Sequence, residues 1–169
     1  MSNGQQAVVL VGHGGVPKDC PPELVRKLKQ LESQRRAAGA GPSSEEVELA
    51  ARIRRWPRTP ANDPYRSGLE LLASHLRPRL NGALFAIAYN EFCAPTLEEA
   101  VGEVIAAGAR RVTVVSTMVT PGGSHSEVEI PETIQHLRSR YPSVAIRYAW
   151  PFDLDLVAGM LSEHLTRFS

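Results

Sequence analysis

Four short apolar runs, separated by helical rather than turn-like sequence, constrain this chain more than any other feature. They are residues 7–11 (AVVLV), 83–89 (ALFAIAY), 111–118 (RVTVVSTM) and 144–150 (VAIRYAW). The first and third are almost continuously apolar instead of alternating, the pattern of strands covered on both faces. Strands joined by helices through right-handed crossovers form a parallel sheet with helices on either side. The expected fold is α/β: a flavodoxin-like three-layer sandwich on a parallel sheet of about four strands. In such sheets, ligands bind beyond the carboxyl ends of the strands.

Helix punctuation supports this layout. Thr96 is placed to cap a helix running to Ala107, with Glu99 completing a capping box and Gly108 at its end. Leu97, Val101, Val104 and Ile105 share one face of that helix. A further helix starts near Pro131 and runs to about Arg140, with Ile134 and Leu137 facing inward. The last spans about residues 153–165, with Leu156, Val157, Met160, Leu161 and Leu165 as its apolar stripe.

Residues 17–82 hold too much sequence for one crossover helix. Three are expected, over about residues 22–36, 44–56 and 63–80. The first two are separated by the breaker AGAGP at 38–42, with Ser43 or Ser44 as a cap; Asn62 or Asp63 caps the third. Residues 17–62 therefore read as a helical hairpin inserted into a single domain of residues 1–169. Its basic residues, among them Arg26, Lys27, Lys29, Arg52, Arg54 and Arg55, are read first as a solvated face.

Composition narrows the function classes. With 43% apolar and 22% charged residues the chain is globular, and 169 residues make one core rather than two. A net charge of +1 gives no global attraction to nucleic acid or to an anionic membrane. No run is long enough to span a bilayer, and residues 1–6 are polar, so a cytoplasmic location is expected. Cys20 and Cys93 lie far apart, outside any metal or disulfide spacing, and are expected to be buried thiols.

Three segments carry candidate chemistry, each following a strand. His13 stands in the turn Gly12-His13-Gly14-Gly15, whose glycines let the backbone turn and leave room for a bulky ligand. A histidine in such a turn is, by itself, explained equally well by packing. His125 ends the second glycine loop, residues 120–125 (TPGGSH), and Glu127 and Glu129 follow. Glu91 follows the second strand; taken alone, it reads as readily as a surface or capping carboxylate. With the strand order 2-1-3-4 the three converge, giving a two-histidine, one-carboxylate set suited to a transition metal and open enough to exchange it. His75, His136 and His164 lie in amphipathic helices and are expected at the surface, while Trp56 and Trp150 are expected to be packing anchors.

Four blocks in order carry a family resemblance: VLVGHG at 9–14, NEFCAPTLEEA at 90–100, GARRVTVVSTMVTPGGSHSEVEIPE at 108–132 and RYPSVAIRYAWPF at 140–152. Together they resemble the small class II tetrapyrrole chelatases, the sirohydrochlorin cobaltochelatases and ferrochelatases. The resemblance implies insertion of a divalent metal (Co²⁺, Fe²⁺ or Ni²⁺, as substrate) into a sirohydrochlorin-type ring, with no organic cofactor. It implies His13, His125 and Glu91 as the metal-handling residues, and a homodimer. Two departures stand out: Gly15-Val16 replaces the Ser, often followed by Arg, that usually follows the first His-Gly, and Glu129 replaces an Asp before Ile130-Pro131. The insert is also outside the minimal family pattern.

The ring's peripheral carboxylates need cationic or N–H partners. Arg66, the arginines of the insert, and the loop residues Gly122, Gly123 and Ser124, whose amides can form an anion nest, are the candidates, with Gly14 leaving space for the ring. A carrier that binds metal or tetrapyrrole without turnover is the main alternative. A phosphotransfer enzyme using His13 lacks the arginine that usually precedes such a histidine, since Gly12 stands there. A dinucleotide site lacks its third glycine, and Pro17 blocks the helix start.

Overall fold

The computed structural model describes residues 5–168; Met1–Gly4 of the polar N-terminal stretch lie outside the described residues. The element order is β1 (Gln5–Gly12), α1 (Pro22–Ala38), α2 (Ser44–Arg54), α3 (Pro64–Leu76), β2 (Leu84–Tyr89), α4 (Leu97–Ala106), β3 (Ala109–Ser116), α5 (Ile130–Arg140), β4 (Ala145–Tyr148) and α6 (Leu154–Leu165). The sheet is parallel, in the order β2-β1-β3-β4, as expected for a flavodoxin-like fold. Placing β1 between β2 and β3 brings the ends of all three to one edge.

Caps set several of these boundaries. Thr96 and Glu99 form the reciprocal capping box of α4. Ser43 accepts from the Glu46 N–H to start α2, and Asp63 accepts from the Arg66 N–H to start α3. Gly39, at φ 60°, closes α1, because only a left-handed residue lets the last carbonyls be satisfied there.

Each face of the sheet has its own core. On one side Val9, Val11, Val112, Val114 and Ile146 pack against α4 and α5 through Val101, Val104, Ile130, Ile134 and Leu137. On the other, Leu10, Tyr89 and Cys93 pack with Leu69 and Ala73 of α3. Full burial of such side chains contributes about 1.5–3 kcal/mol each. A third cluster, Cys20, Leu28, Leu49 and Ile53, lies within the α1–α2 hairpin and reaches the sheet edge through Val16, Trp56 and Phe92. Both cysteines are buried and unpaired.

One expectation is corrected. The apolar stripe of α6 does not pack on the sheet: Leu156 is 75% exposed, and Leu154, Met160, Leu161 and Leu165 are exposed as well. Periodicity establishes that a helix has an apolar face, not that its own chain covers that face. No helix among the described residues is long and apolar enough to cross a membrane.

Candidate metal centre at the carboxyl edge of the sheet

The loops after β1 and β2 are zipped together. The Asn90 N–H donates to the Gly12 carbonyl at 2.9 Å and the Glu91 N–H to that of His13 at 2.8 Å, extending the parallel pairing past the strands. Gly14 makes this approach possible. Its φ is +93°, and a Cβ there would lie 1.9 Å from the Glu91 carbonyl oxygen. Gly14 is buried under that backbone, so its smallness serves loop packing rather than space for a ring.

His13, Glu91 and His125 offer ligand atoms that all lie within 4.8 Å of one another, and all three side chains are half-buried. The two imidazoles meet edge to face, with centroids 4.8 Å apart. The Nδ1 of His13 lies 2.7 Å from the Gly14 carbonyl, which can only accept, so Nδ1 carries the proton and the Nε2 lone pair is free. The main-chain N–H of His13 donates to the Tyr65 hydroxyl on α3 at 2.7 Å. His125 has a carboxylate partner: its Nδ1 lies 2.9 Å from Glu129 Oε2, which also accepts from the Asn90 amide at 2.9 Å. A carboxylate on one ring nitrogen fixes the tautomer and leaves the other nitrogen to a metal. Burial opposes ionisation of Glu129, but the bonds from Asn90 and His125 win and hold its carboxyl below the usual range.

His125 does not end a loop. It opens a π-helical turn, His125–Glu129, that runs directly into α5, with the Ile130 N–H donating to the His125 carbonyl. That turn puts His125 and Glu129 on one side, within reach of each other. Preceding it, the Gly122 N–H is occupied by Glu127 Oε1 at 2.9 Å, so the proposed anion nest is already partly filled by the chain's own carboxylate.

Lys29 and Arg58 of the inserted segment hold the same loops. Arg58, with a side chain only 2% exposed, donates to the Gly15 carbonyl at 2.9 Å, to the Phe92 carbonyl and to the Asp63 carboxylate. It therefore ties the His13 loop, the Glu91 loop and the start of α3 together. Lys29 donates to Glu91 Oε1 at 3.0 Å.

A cavity of about 540 Å³ reaches the site at Glu91 and is lined by apolar Leu28, Ala50 and Phe92 and by Arg35, Arg36 and Arg54 among others. Arg35 is paired with Glu46 at 2.8 Å, leaving Arg36 and Arg54 as the insert's cationic groups toward the cavity. A smaller cavity of about 380 Å³ shares Glu32, Arg36, Glu91, Ser124 and Glu129 with it and reaches His125 and Lys29. Arg66 is a correction: it pairs with Glu70 one turn along α3, at 2.7 Å, and lines neither cavity. Trp150 also lines neither; it stacks on Tyr148.

The three convergent side chains were legible in the sequence because His13 and Glu91 directly follow strands and His125 stands in the glycine-rich segment after the third. Sequence reasoning gave no role to Asn90, Tyr65 or Arg58, and it read Lys29 as part of a solvated face. For Glu129, the i,i+4 spacing from His125 offered a local signal for a histidine's partner.

A model of the CbiX family matches residues 61–167 of this chain. A sirohydrochlorin ferrochelatase from Priestia megaterium is 33% identical over 69 residues, covering 41% of this chain and 26% of that protein. One from Bacillus subtilis (strain 168) is 35% identical over 69 residues, again 41% and 26%. The match thus spans about a quarter of the length of these curated relatives. Among solved structures, the sirohydrochlorin chelatase SirB from Bacillus subtilis subspecies spizizenii in complex with cobalt aligns with a TM-score of 0.51 at 22% identity, over 87% of this chain and 43% of that one. A CbiX protein from Marinobacter aquaeolei VT8 aligns with a TM-score of 0.52 at 19% identity, over 96% of this chain and 98% of that one. Those structural likenesses establish the shared fold, and the family match covers well over half of the sequence. The chain belongs to the CbiX family.

Proposed function

We propose that this protein inserts a divalent metal into a sirohydrochlorin-type tetrapyrrole, with His13, Glu91 and His125 holding the incoming ion. The observation that carries the reading is the convergence of two imidazoles and a carboxylate, within 4.8 Å, beside a cavity of about 540 Å³. Cavities of roughly 300–1,000 Å³ are the usual size for small-molecule sites. Relatives named sirohydrochlorin ferrochelatase, and a SirB structure holding cobalt, support the substrate class.

The chemistry follows from the groups present. Insertion requires the ring to lose two pyrrole N–H protons while a hydrated ion sheds its waters. Free Nε2 atoms on His13 and His125 serve as metal ligands, and once the ion moves to the ring they accept its protons. Glu91 adds one negative charge, which lowers the cost of bringing a dication into a half-buried site. Exposed Arg36 and Arg54 of the insert are placed to meet the ring's carboxylates. The ligand set takes Co²⁺, Ni²⁺ or Fe²⁺, and supply selects among them.

We read residues 1–169 as one domain with 17–62 as its insertion, working in the cytoplasm, where the unpaired buried thiols Cys20 and Cys93 stay reduced. A second copy is the natural occupant of the exposed stripe of α6, because an apolar groove of about 270 Å³, lined by Tyr65, Gly68, Leu69, Leu72 and Thr117, offers a matching surface. A homodimer presents both surfaces twice.

The test is anaerobic metallation of sirohydrochlorin with Co²⁺, followed by the ring's absorption, at substoichiometric protein. Many turnovers per protein are expected, lost in His13→Ala and His125→Ala. Tight one-to-one binding of metal or ring with no acceleration would make the protein a carrier instead.

A further inference from the structure

Lys29 is the one cation bonded directly to the candidate metal ligands among the described residues, and it comes from the inserted hairpin. Three groups fix its ammonium. It lies 3.0 Å from Glu91 Oε1 and 3.3 Å from Glu32 Oε2, and 4.8 Å from the centre of the Phe92 ring. Lys29 also lines the cavity of about 380 Å³ that leads to His125. An ion arriving there meets a ligand carboxylate that already has a counter-ion.

Resting on the metal-insertion reading, we propose that Lys29 is a built-in competitor for Glu91, which weakens metal binding so that the ion is passed on to the ring instead of being retained. In the metal-free site Glu91 and Lys29 neutralise each other. When a dication binds, Glu91 Oε1 turns its lone pair to the metal, the Lys29–Glu91 hydrogen bond breaks, and the ammonium is retained by Glu32. The bound state then carries two nearby positive centres, which repel. Transfer of the ion to the ring releases two pyrrole protons, which leave through the imidazoles to water. The Lys29–Glu91 pair re-forms as the metal leaves, so the site returns to its starting state. Charge and protons balance at each stage.

This makes Lys29 a positioning residue whose removal has opposite effects on two readouts. A chelatase with a site that binds too tightly holds its metal; one with no hold never collects it. Removing the ammonium while keeping a stem of similar length should tighten binding and slow release, a combination that simple loss of structure does not produce.

The experiment compares wild type, Lys29→Met, Lys29→Arg and His13→Ala, each titrated with Co²⁺ alone and then assayed for multiple-turnover metallation. Lys29→Met is expected to bind Co²⁺ roughly three- to tenfold more tightly, a modest factor because the lysine is partly solvated. Its multiple-turnover rate should fall while the first turnover is preserved. Lys29→Arg keeps the charge and should restore wild-type behaviour. Wild type binding Co²⁺ more tightly than His13→Ala, with Lys29→Met equal to or weaker than wild type, would overturn the proposal while leaving the metal site standing. Equal Co²⁺ affinity in wild type and His13→Ala would remove the metal-site reading itself.

Discussion

His125 and Glu129 illustrate how much of a metal site rests on the residues behind the ligands. The Asn90 amide holds Glu129 Oε2 at 2.9 Å, and that same oxygen meets His125 Nδ1. Replacing Asn90 by Ala frees the carboxylate to turn away, and Co²⁺ affinity is expected to fall by about tenfold, as is common for partners of a ligating histidine. Unchanged affinity in a Co²⁺ titration would place Asn90 outside the site. Away from the site, burial pushes the Cys20 thiol and the Tyr148 phenol above their ordinary values of 9.0 and 10.0. Both raised groups hold protons in the fold that the unfolded chain gives up. Their contribution is therefore complete below pH 9.0 and is lost as pH climbs through the folded-state values. The Tm should drop as pH rises above 9.0, and Tyr148→Phe together with Cys20→Ala should flatten that drop; an unaltered slope would contradict the assignment. His13 and Glu91 were legible because each sits one or two residues past a strand, and His125 because it stands in the glycine-rich segment that follows β3. Asn90 and Arg58 were not legible, since the site partners of Asn90 are 35–39 residues away and the loop carbonyls that Arg58 binds are 34 and 43 away.

At the scale of elements, the insert is attached where it matters most. Arg58 joins carbonyls of both ligand loops to Asp63, which caps α3, and α3 carries the Tyr65 that receives the His13 N–H. Arg58→Met leaves Asp63 charged, buried and without its partner, an expected loss of about 3–5 kcal/mol in urea unfolding. A double substitution, Arg58→Met with Asp63→Asn, keeps the cap, removes the stranded charge and should recover much of that loss. A small loss in the single variant would show that the insert merely rests on the loops. Most helix starts were readable because caps are local: Ser43, Asp63 and Thr96 each bond an N–H three residues ahead. The π-helical turn at His125–Glu129 was not, because a five-residue hydrogen-bonding step leaves no distinct side-chain pattern.

Over the whole molecule, the four strands and their parallel sheet could be read in advance from the apolar runs and the helices between them, and the order β2-β1-β3-β4 is the one a flavodoxin-like sheet has. The placement of α6 could not. Its amphipathic pattern is the same whether its apolar face meets its own sheet or a second chain, and the structure leaves Leu156, Met160, Leu161 and Leu165 exposed. In the homodimer reading, the wild type elutes at twice the monomer mass in light scattering, and Leu161→Glu shifts it to monomer without unfolding it. A monomeric wild type would contradict that reading.

The proposed function requires three side chains to meet around one ion. The most direct measurement is X-ray absorption of the Co²⁺-loaded protein beside His13→Ala and His125→Ala. Two imidazole nitrogens and a carboxylate oxygen on cobalt are expected in the wild type, with one imidazole lost in each variant. A cobalt spectrum unchanged by removing either histidine would contradict it.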